Sequence, residues 1–308
     1  MDGFINFFKD TGITSNKALE RIRKITGCKK SGFLGTLDPV ASGILPVGLG
    51  KGTKLFQYFE KVPKKYRSRI VFGGETDTQD STGAVVKNAA VEGVTEERLE
   101  ETLEKFKGEI MQIPPMYSAK KINGQRLYRI ARKGGDVKRE GKKVMVHSIE
   151  LNEFAGDSAV FTAVVSQGTY IRTLCEDIGR EIGCLAHMGG LTREQVHVFL
   201  AESSITLEQI DELKDDPEKW LLPMDFPVSH LPNMDVSLRE YSDLSSGLPI
   251  KWNGKEGFKV RLYGPEGNFF GMGRTDPVKQ KTFPEKVLFP YSASAGKSDQ
   301  PRRPVKIG

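Results

Sequence analysis

Between Gly32 and Gly48 the chain reads Gly-Phe-Leu-Gly-Thr-Leu-Asp-Pro-Val-Ala-Ser-Gly-Ile-Leu-Pro-Val-Gly, and a single acid, Asp38, stands among small and apolar residues. A proline directly after an aspartate drives that residue out of the helical region, and Gly35 and Gly43 permit sharp bends on either side. The run therefore predicts a bent loop with Asp38 at its turn. Such an acid has two readings. Alone, an Asp-Pro pair is usually a turn whose carboxylate bonds its own backbone; held among apolar groups, it is a partly desolvated reactive carboxylate.

At 308 residues the chain is long enough for one large domain plus a small one, or two of middling size, and 38% hydrophobic with 28% charged residues describes an ordinary soluble protein with a sizeable core. No apolar run approaches the roughly 18 to 20 residues that span a bilayer. Asp2, Lys9 and Asp10 interrupt any apolar leader, so no membrane partner and a cytoplasmic location are expected. Cys28, Cys175 and Cys184 form no C-x-x-C pair, and His147, His187, His197 and His230 are scattered, which argues against a disulfide framework or a metal site. A net charge of +6 favours a polyanionic partner.

Taken in order, residues 3 to 8 read as a strand, and Thr14 or Ser15 caps a helix with Ala18, Leu19, Ile22 and Ile25 on one face and Gly27 as its stop. Residues 48 to 54 look like a phosphate-cradling loop, but Leu45 and Gly52 stand where a P-loop needs glycine and a hydroxyl residue. From Tyr66, Ser68, Ile70 and Phe72 alternate as in a strand. Thr76 to Gly83 lacks the ligands of a calcium loop and reads as a turn whose acids bond backbone or basic groups. Thr95 begins a helix with Leu99, Leu103 and Phe106 on one face. Strands over 144–154 and 158–167 meet at Gly156-Asp157, and Thr173 with Glu176 is expected as a capping box opening a helix that Gly183 stops, with Arg172 at the strand-to-helix junction. Thr206 and Gln209 start a short helix. Pro227 and Pro232 mark a linker near 227–235, and short strands are expected around 244–250, 258–263 and 268–273.

Charge is concentrated in one place. Lys120, Lys121, Arg126, Arg129, Arg132, Lys133, Lys138, Arg139, Lys142 and Lys143 face only Asp136 and Glu140. The bland reading is a solvated face. Tyr117 and Tyr128, interleaved with the bases, fit a surface that stacks nucleobases and neutralises phosphates.

Four stretches together carry a resemblance: Gly35-Thr36-Leu37-Asp38-Pro39 running into Ala41 to Gly48 with Gly52-Thr53-Lys54 behind it; Pro115-Met116-Tyr117-Ser118-Ala119-Lys120; Gly168-Thr169-Tyr170-Ile171-Arg172-Thr173; and Cys184 to Arg193. The chain resembles the TruB family of pseudouridine synthases, strongly over about residues 3 to 225. The resemblance implies an α/β (α+β) fold with a mixed, largely antiparallel sheet flanked by helices, plus a small C-terminal β-rich PUA-like domain. It implies a catalytic domain over 1–230 with a basic RNA-gripping insertion at about 116–144, the PUA-like domain over 235–278, and a basic tail over 279–308.

It further implies the isomerisation of uridine 55 in the TΨC loop of transfer RNA, by base flipping and nucleophilic attack of Asp38 on ribose C1′ or uracil C6, with no cofactor and no metal. Arg172 would pair with Asp38, and Tyr66 would stack on the target base. Lys9, Phe33, Gly35, Thr36, Leu37, Tyr170 and Leu191 would contact the substrate, and Lys120, Arg126, Arg129 and Arg132 would grip the RNA. A monomer is expected. Two positions depart from the family: Asp10 replaces the proline after Lys9, and Phe33 replaces a histidine that stacks into the RNA loop. They leave room for a non-catalytic RNA-binding or RNA-folding protein with a vestigial site. An RNA methyltransferase would need a glycine-rich cofactor loop, and none is recognisable.

Overall fold

The computed structural model describes residues 1–118, 121–122, 124–131, 134–135 and 137–291, and of 121, 122, 126 and 128 the backbone alone. In chain order the elements are β1 (Gly3–Lys9), α1 (Ser15–Thr26), β2 (Ser31–Phe33), β3 (Ala41–Leu49), β4 (Lys64–Phe72), β5 (Gly74–Thr76), β6 (Val85–Asn88), α2 (Glu96–Lys105) and β7 (Gly108–Gln112). The basic segment holds β8 (Lys121–Ile122), β9 (Gln125–Arg126) and α3 (Leu127–Ala131). Then come β10 (Lys142–Phe154), β11 (Ser158–Val165), α4 (Ile171–Ile182), β12 (Ala186–Val196), β13 (Phe199–Leu200) and α5 (Leu207–Glu212). The C-terminal part comprises β14 (Asn233–Asp235), α6 (Leu238–Ser245), β15 (Ile250–Lys251), β16 (Lys259–Tyr263), β17 (Phe269–Asp276) and β18 (Lys281–Val287).

The larger sheet runs β1-β3-β12-β4-β11-β10-β7, with β2 added to β3 and β13 to β12. Its β3–β12 pairing is parallel and its other pairings are antiparallel. This is the mixed, largely antiparallel sheet expected, with a second β-rich sheet ordered β14-β16-β17-β18-β15 after it. Strand β4 shows how the sequence makes it: Lys64, Tyr66, Ser68, Ile70 and Phe72 are buried at every second residue, the period of a pleated strand. One face packs on α2 and α4 through Ile70, Phe161, Leu174, Ile178 and Met188. A second cluster joins β1 and β3 to α1 and α5 through Ile5, Leu19, Ile22, Leu45 and Trp220. No helix of the described residues is long and apolar enough to cross a membrane.

Helix α1 is capped by Thr14, whose hydroxyl accepts from the Lys17 amide, and ends at left-handed Gly27. Thr206 and Gln209 form a capping box at α5. The box expected from Thr173 and Glu176 is absent: α4 begins at Ile171 with Tyr170 as its cap, and the Thr173 hydroxyl instead donates to Gln79 Oε1 at 2.9 Å. Residues 238–245, expected in part as strand, form α6 because Ser237 and Glu240 make a capping box of their own. The expected linker is not loose, since Val228 is fully buried and β14 pairs in parallel with β16. The tail expected from residue 279 is overturned over Lys281–Val287, where β18 completes the smaller sheet by pairing with β17. Thr282 of that strand is fully buried.

Candidate active site

The Asp38 loop is pinned from three sides. The Ser15 hydroxyl donates to the Leu37 carbonyl at 3.0 Å and accepts from the Leu37 amide at 2.9 Å, which ties the loop to the first turn of α1. The Gly12 amide donates to the Pro39 carbonyl at 2.7 Å, and the Ala41 amide to the Asp38 carbonyl at 3.1 Å. Gly35, at φ +72°, supplies the left-handed residue the bend needs. Asp38 is thereby presented at a pocket of about 250 Å³ shared with Tyr66, Tyr170, Arg172 and Leu191.

Arg172 arrives from the opposite side. Tyr170, just before α4, is clamped by Gln112, whose side chain donates to the Tyr170 carbonyl at 3.2 Å and accepts from its amide at 3.0 Å. With the helix start fixed, the Arg172 guanidinium, 6% exposed, meets Asp38 Oδ2 at 3.0 Å. It also donates to the Thr78 carbonyl at 3.0 Å and the Tyr117 carbonyl at 2.8 Å, and pairs with Asp80 Oδ2 at 3.5 Å. Asp80 is held in turn by the Thr78 and Thr82 hydroxyls and the Thr82 amide. The arginine is therefore an immobile charge with two carboxylates on it.

Burial raises the Asp38 carboxyl above its ordinary range, and the buried Asp80 charge adds to this, while Arg172 and then Lys9 pull it back. Arg172 is the larger of the two opposing charges. The arrangement can hold an ionised nucleophile in a partly desolvated place, where a carboxylate without that partner would take a proton.

Of the residues expected to meet a substrate, Gly35, Thr36, Leu37, Tyr66, Tyr170 and Leu191 line the pocket with Asp38 and Arg172. Tyr66 is 9% exposed, so it serves core and pocket together. Lys9 does not line it. Its side chain is wholly buried, and its ammonium donates to the Asp10 carbonyl at 2.8 Å and the Ile13 carbonyl at 2.9 Å. It braces the turn that carries Gly12 to Pro39, including the position where Asp10 stands. Phe33 lies in β2, half-buried against the α1 cluster, outside the pocket. Arg129 is exposed on α3; Lys120, Arg132 and the Arg126 side chain lie outside the described residues. Asp80 meets the expectation of a turn acid bonding backbone and a basic group, whereas sequence reasoning missed three groups: Lys64, Arg193 and Ser118. Lys64, Arg193 and Ser118 line the pocket, and among the described residues the buried Ser118 hydroxyl has no hydrogen-bond partner.

Residues 23–171 match the family described as TruB family pseudouridylate synthase (N terminal domain), and residues 172–229 match the tRNA pseudouridylate synthase B C-terminal domain. A tRNA pseudouridine synthase B of Tolumonas auensis is 38% identical over 287 residues, covering 89% of this chain and 88% of the relative. The chain belongs to the TruB family. A TruB relative of the same name from Heliobacterium modesticaldum is 37% identical over 269 residues, covering 85% of this chain and 87% of its own. Among solved structures, a Cbf5-Nop10-Gar1 complex matches with a TM-score of 0.71 at 27% identity, covering 94% of this chain and 85% of the other. An H/ACA RNP bound to a substrate RNA containing 2'-deoxyuridine matches with a TM-score of 0.71 at 26% identity and the same coverage. The four stretches singled out in the sequence, from Gly35 to Arg193, fall inside the two TruB matches.

Proposed function

We infer that the protein is a transfer RNA pseudouridine synthase that isomerises uridine 55 of the TΨC loop, acting as a cytoplasmic monomer. The observation that carries this reading is the Asp38–Arg172 ion pair at 3.0 Å in a pocket walled by Tyr66, Tyr170 and Leu191. Uridine inside a folded loop must be turned out of its stack, at a cost of a few kcal/mol. Stacking on an aromatic ring returns about 1–3 kcal/mol per base, and Tyr66 offers that ring with Leu191 as the facing wall. The Ser118 hydroxyl, buried and without a partner among the described residues, is a hydrogen-bonding group for the incoming base.

Asp38 attacks ribose C1′ or uracil C6. The N1–C1′ bond breaks, the base turns, C5 bonds to C1′, the bond to Asp38 breaks so that the carboxylate is regenerated, and the proton on C5 is lost to solvent while N1 gains one. Reactant and product are isomers, so the residues need only supply a nucleophile, hold its charge and move a proton. Arg172 keeps Asp38 ionised and aimed. The Tyr117 carbonyl and Ser118 place the start of the basic segment at the pocket. This supports a role for 116–144 in gripping the TΨC arm, with the β-rich part from β14 to β18 as a second, PUA-like RNA contact.

The test uses a transfer RNA transcript carrying tritium at uracil C5, incubated with wild type and with Asp38→Ala, without added cofactor. Wild type is expected to release label from the TΨC loop, and Asp38→Ala to release none while still binding. Tight binding by both without release would replace this reading with that of an RNA-binding protein.

A further inference from the structure

Beside the Asp38–Arg172 pair, the pocket holds a second charged pair, and both of its members are cations. Lys64, the first residue of β4, is 7% exposed, and among the described residues its ammonium has neither an ion-pair nor a hydrogen-bond partner. Arg193, on β12, is 1% exposed; its Nε donates to the Ile44 carbonyl at 2.7 Å and its Nη2 to the Gly35 carbonyl at 2.8 Å, which locks the guanidinium in place. The two cations converge on one point. A Cβ added at Gly35 would lie 3.2 Å from Arg193 Nη1 and 3.8 Å from Lys64 Nζ. Glycine at that position therefore leaves open the space that the two charges share, as well as satisfying its positive φ.

Like charges gathered in a partly desolvated place raise each other's energy. Burial first, and the Arg193 charge second, bring Lys64 down to about 8. An anion between the two would relieve both costs. Asp38 does not serve, because the charges acting on it are Arg172, Asp80 and Lys9. On β4, Lys64 stands two residues before Tyr66 on the same face, an offset of about 7 Å at the rise of a strand. A nucleotide whose base lies on the Tyr66 ring has its backbone phosphates displaced from that base by the width of a ribose, in the same range.

We propose that Lys64 and Arg193 form an anion subsite for the RNA phosphate on one side of the flipped uridine, so that the nucleotide is held by its backbone as well as its base. This rests on the reading of the pocket as a uridine site. Arg193, already fixed by two carbonyls, gives the subsite its position; Lys64, without a partner, gives it the charge that becomes neutralised.

The experiment measures binding of a TΨC stem-loop RNA in which one phosphate, 5′ or 3′ to the target uridine, is replaced by a neutral methylphosphonate. Proteins are wild type, Lys64→Met and Lys64→Arg. One of the two replacements is expected to weaken wild-type binding about tenfold. Lys64→Met should bind the unmodified RNA about tenfold more weakly and show no further loss with that replacement. Its salt dependence should fall by about 0.7 in log–log slope, the share of one phosphate in a single strand. Lys64→Arg should restore both the affinity and the penalty. Independent, multiplying losses at both positions would overturn the subsite. So would an unchanged wild-type affinity for both modified RNAs, a result that stands even if Lys64→Met fails to fold. Tritium release separates the two readings: chemistry intact with no coupling removes only the subsite, whereas coupling without release removes only the isomerase reading.

Discussion

At the scale of single residues, Arg172 sets the state of the carboxylate it touches. It binds Asp38, Asp80 and two backbone carbonyls at once, and only a planar guanidinium can serve four acceptors from one buried position. Burial already raises Asp38, and Arg172 is the largest influence against it. With Asp38 as the proposed nucleophile the ionised form is the active one, so losing the cation moves the acid limb of the pH–rate profile upward, by roughly 1–3 pH units if the usual effect of an adjacent arginine is removed. Arg172→Met, which removes the cation while keeping an unbranched side chain, is expected to lose about tenfold to a hundredfold in kcat/KM for tritium release at pH 7 and to recover part of it as pH rises. An acid limb left where wild type has it would show that Arg172 does not govern Asp38. Asp38 and Arg172 were legible because each sits in a distinctive run of neighbours, and Tyr66 only through the family resemblance. Asp80 was legible as a turn acid but its pairing with Arg172 was not, nor was Arg193, for a physical reason: Asp80 meets Arg172 across 92 residues, and Arg193 meets Gly35 across 158, so those pairings exist only after folding. Lys9 was legible as special and misread in role, because burial of a lysine is not visible in sequence.

At the scale of elements, the pocket depends on the parallel contact between β3, which follows the Asp38 loop, and β12, which carries Leu191 and Arg193. Gly43 is where they touch. Its φ is +110°, and a Cβ there would come to 2.2 Å from the Arg193 carbonyl oxygen and 2.5 Å from the Arg193 nitrogen. Those are backbone atoms with no rotamer to yield. Gly43→Ala is therefore expected to cost about 3 kcal/mol or more through overpacking and backbone strain, seen as a lowered Tm and as loss of tritium release when the two strands part. Gly190→Ala, in the same β12 and with nothing within 4 Å of the added carbon, is the matched control and should leave Tm near wild type. Equal stability of the two variants would sink the argument. Elements with strong local signals, such as α1 with Thr14 and Gly27, stood out in the sequence. Those decided by tertiary contact did not. Helix α4 starts at Ile171, directly after its cap Tyr170, because Gln112 holds Tyr170 there, against the local preference of Thr173 and Glu176.

At the scale of the molecule, the two sheets are not beads on a linker. Tyr263, Phe269 and Met272 of the smaller sheet share one buried cluster with Phe4, Ile44, Phe59 and Phe199 of the larger part, and Met224 and Val228 of the connecting segment lie in it. Polar contacts run along the same seam, where Asp225 accepts from the Tyr263 hydroxyl and pairs with Arg261 at 3.5 Å. Proline spacing suggested a linker because it reports where helices and strands stop, and says nothing of whether the connecting backbone is packed. A chain ending at residue 230 would lose Tyr263, Phe269 and Met272 from this cluster, at about 25 cal/mol for each Å² of apolar surface uncovered. The remainder of the cluster includes Phe4 of β1 and Ile44 of β3, strands of the larger sheet. Removal of residues 231–308 is therefore expected to lower the Tm of the remaining part and to reduce tritium release beyond what weaker RNA binding accounts for, so that saturating RNA does not restore kcat. Full-length protein should unfold in one transition by calorimetry. Two well-separated transitions, with the truncated chain melting at the temperature of one of them, would show that the shared cluster does not couple the sheets.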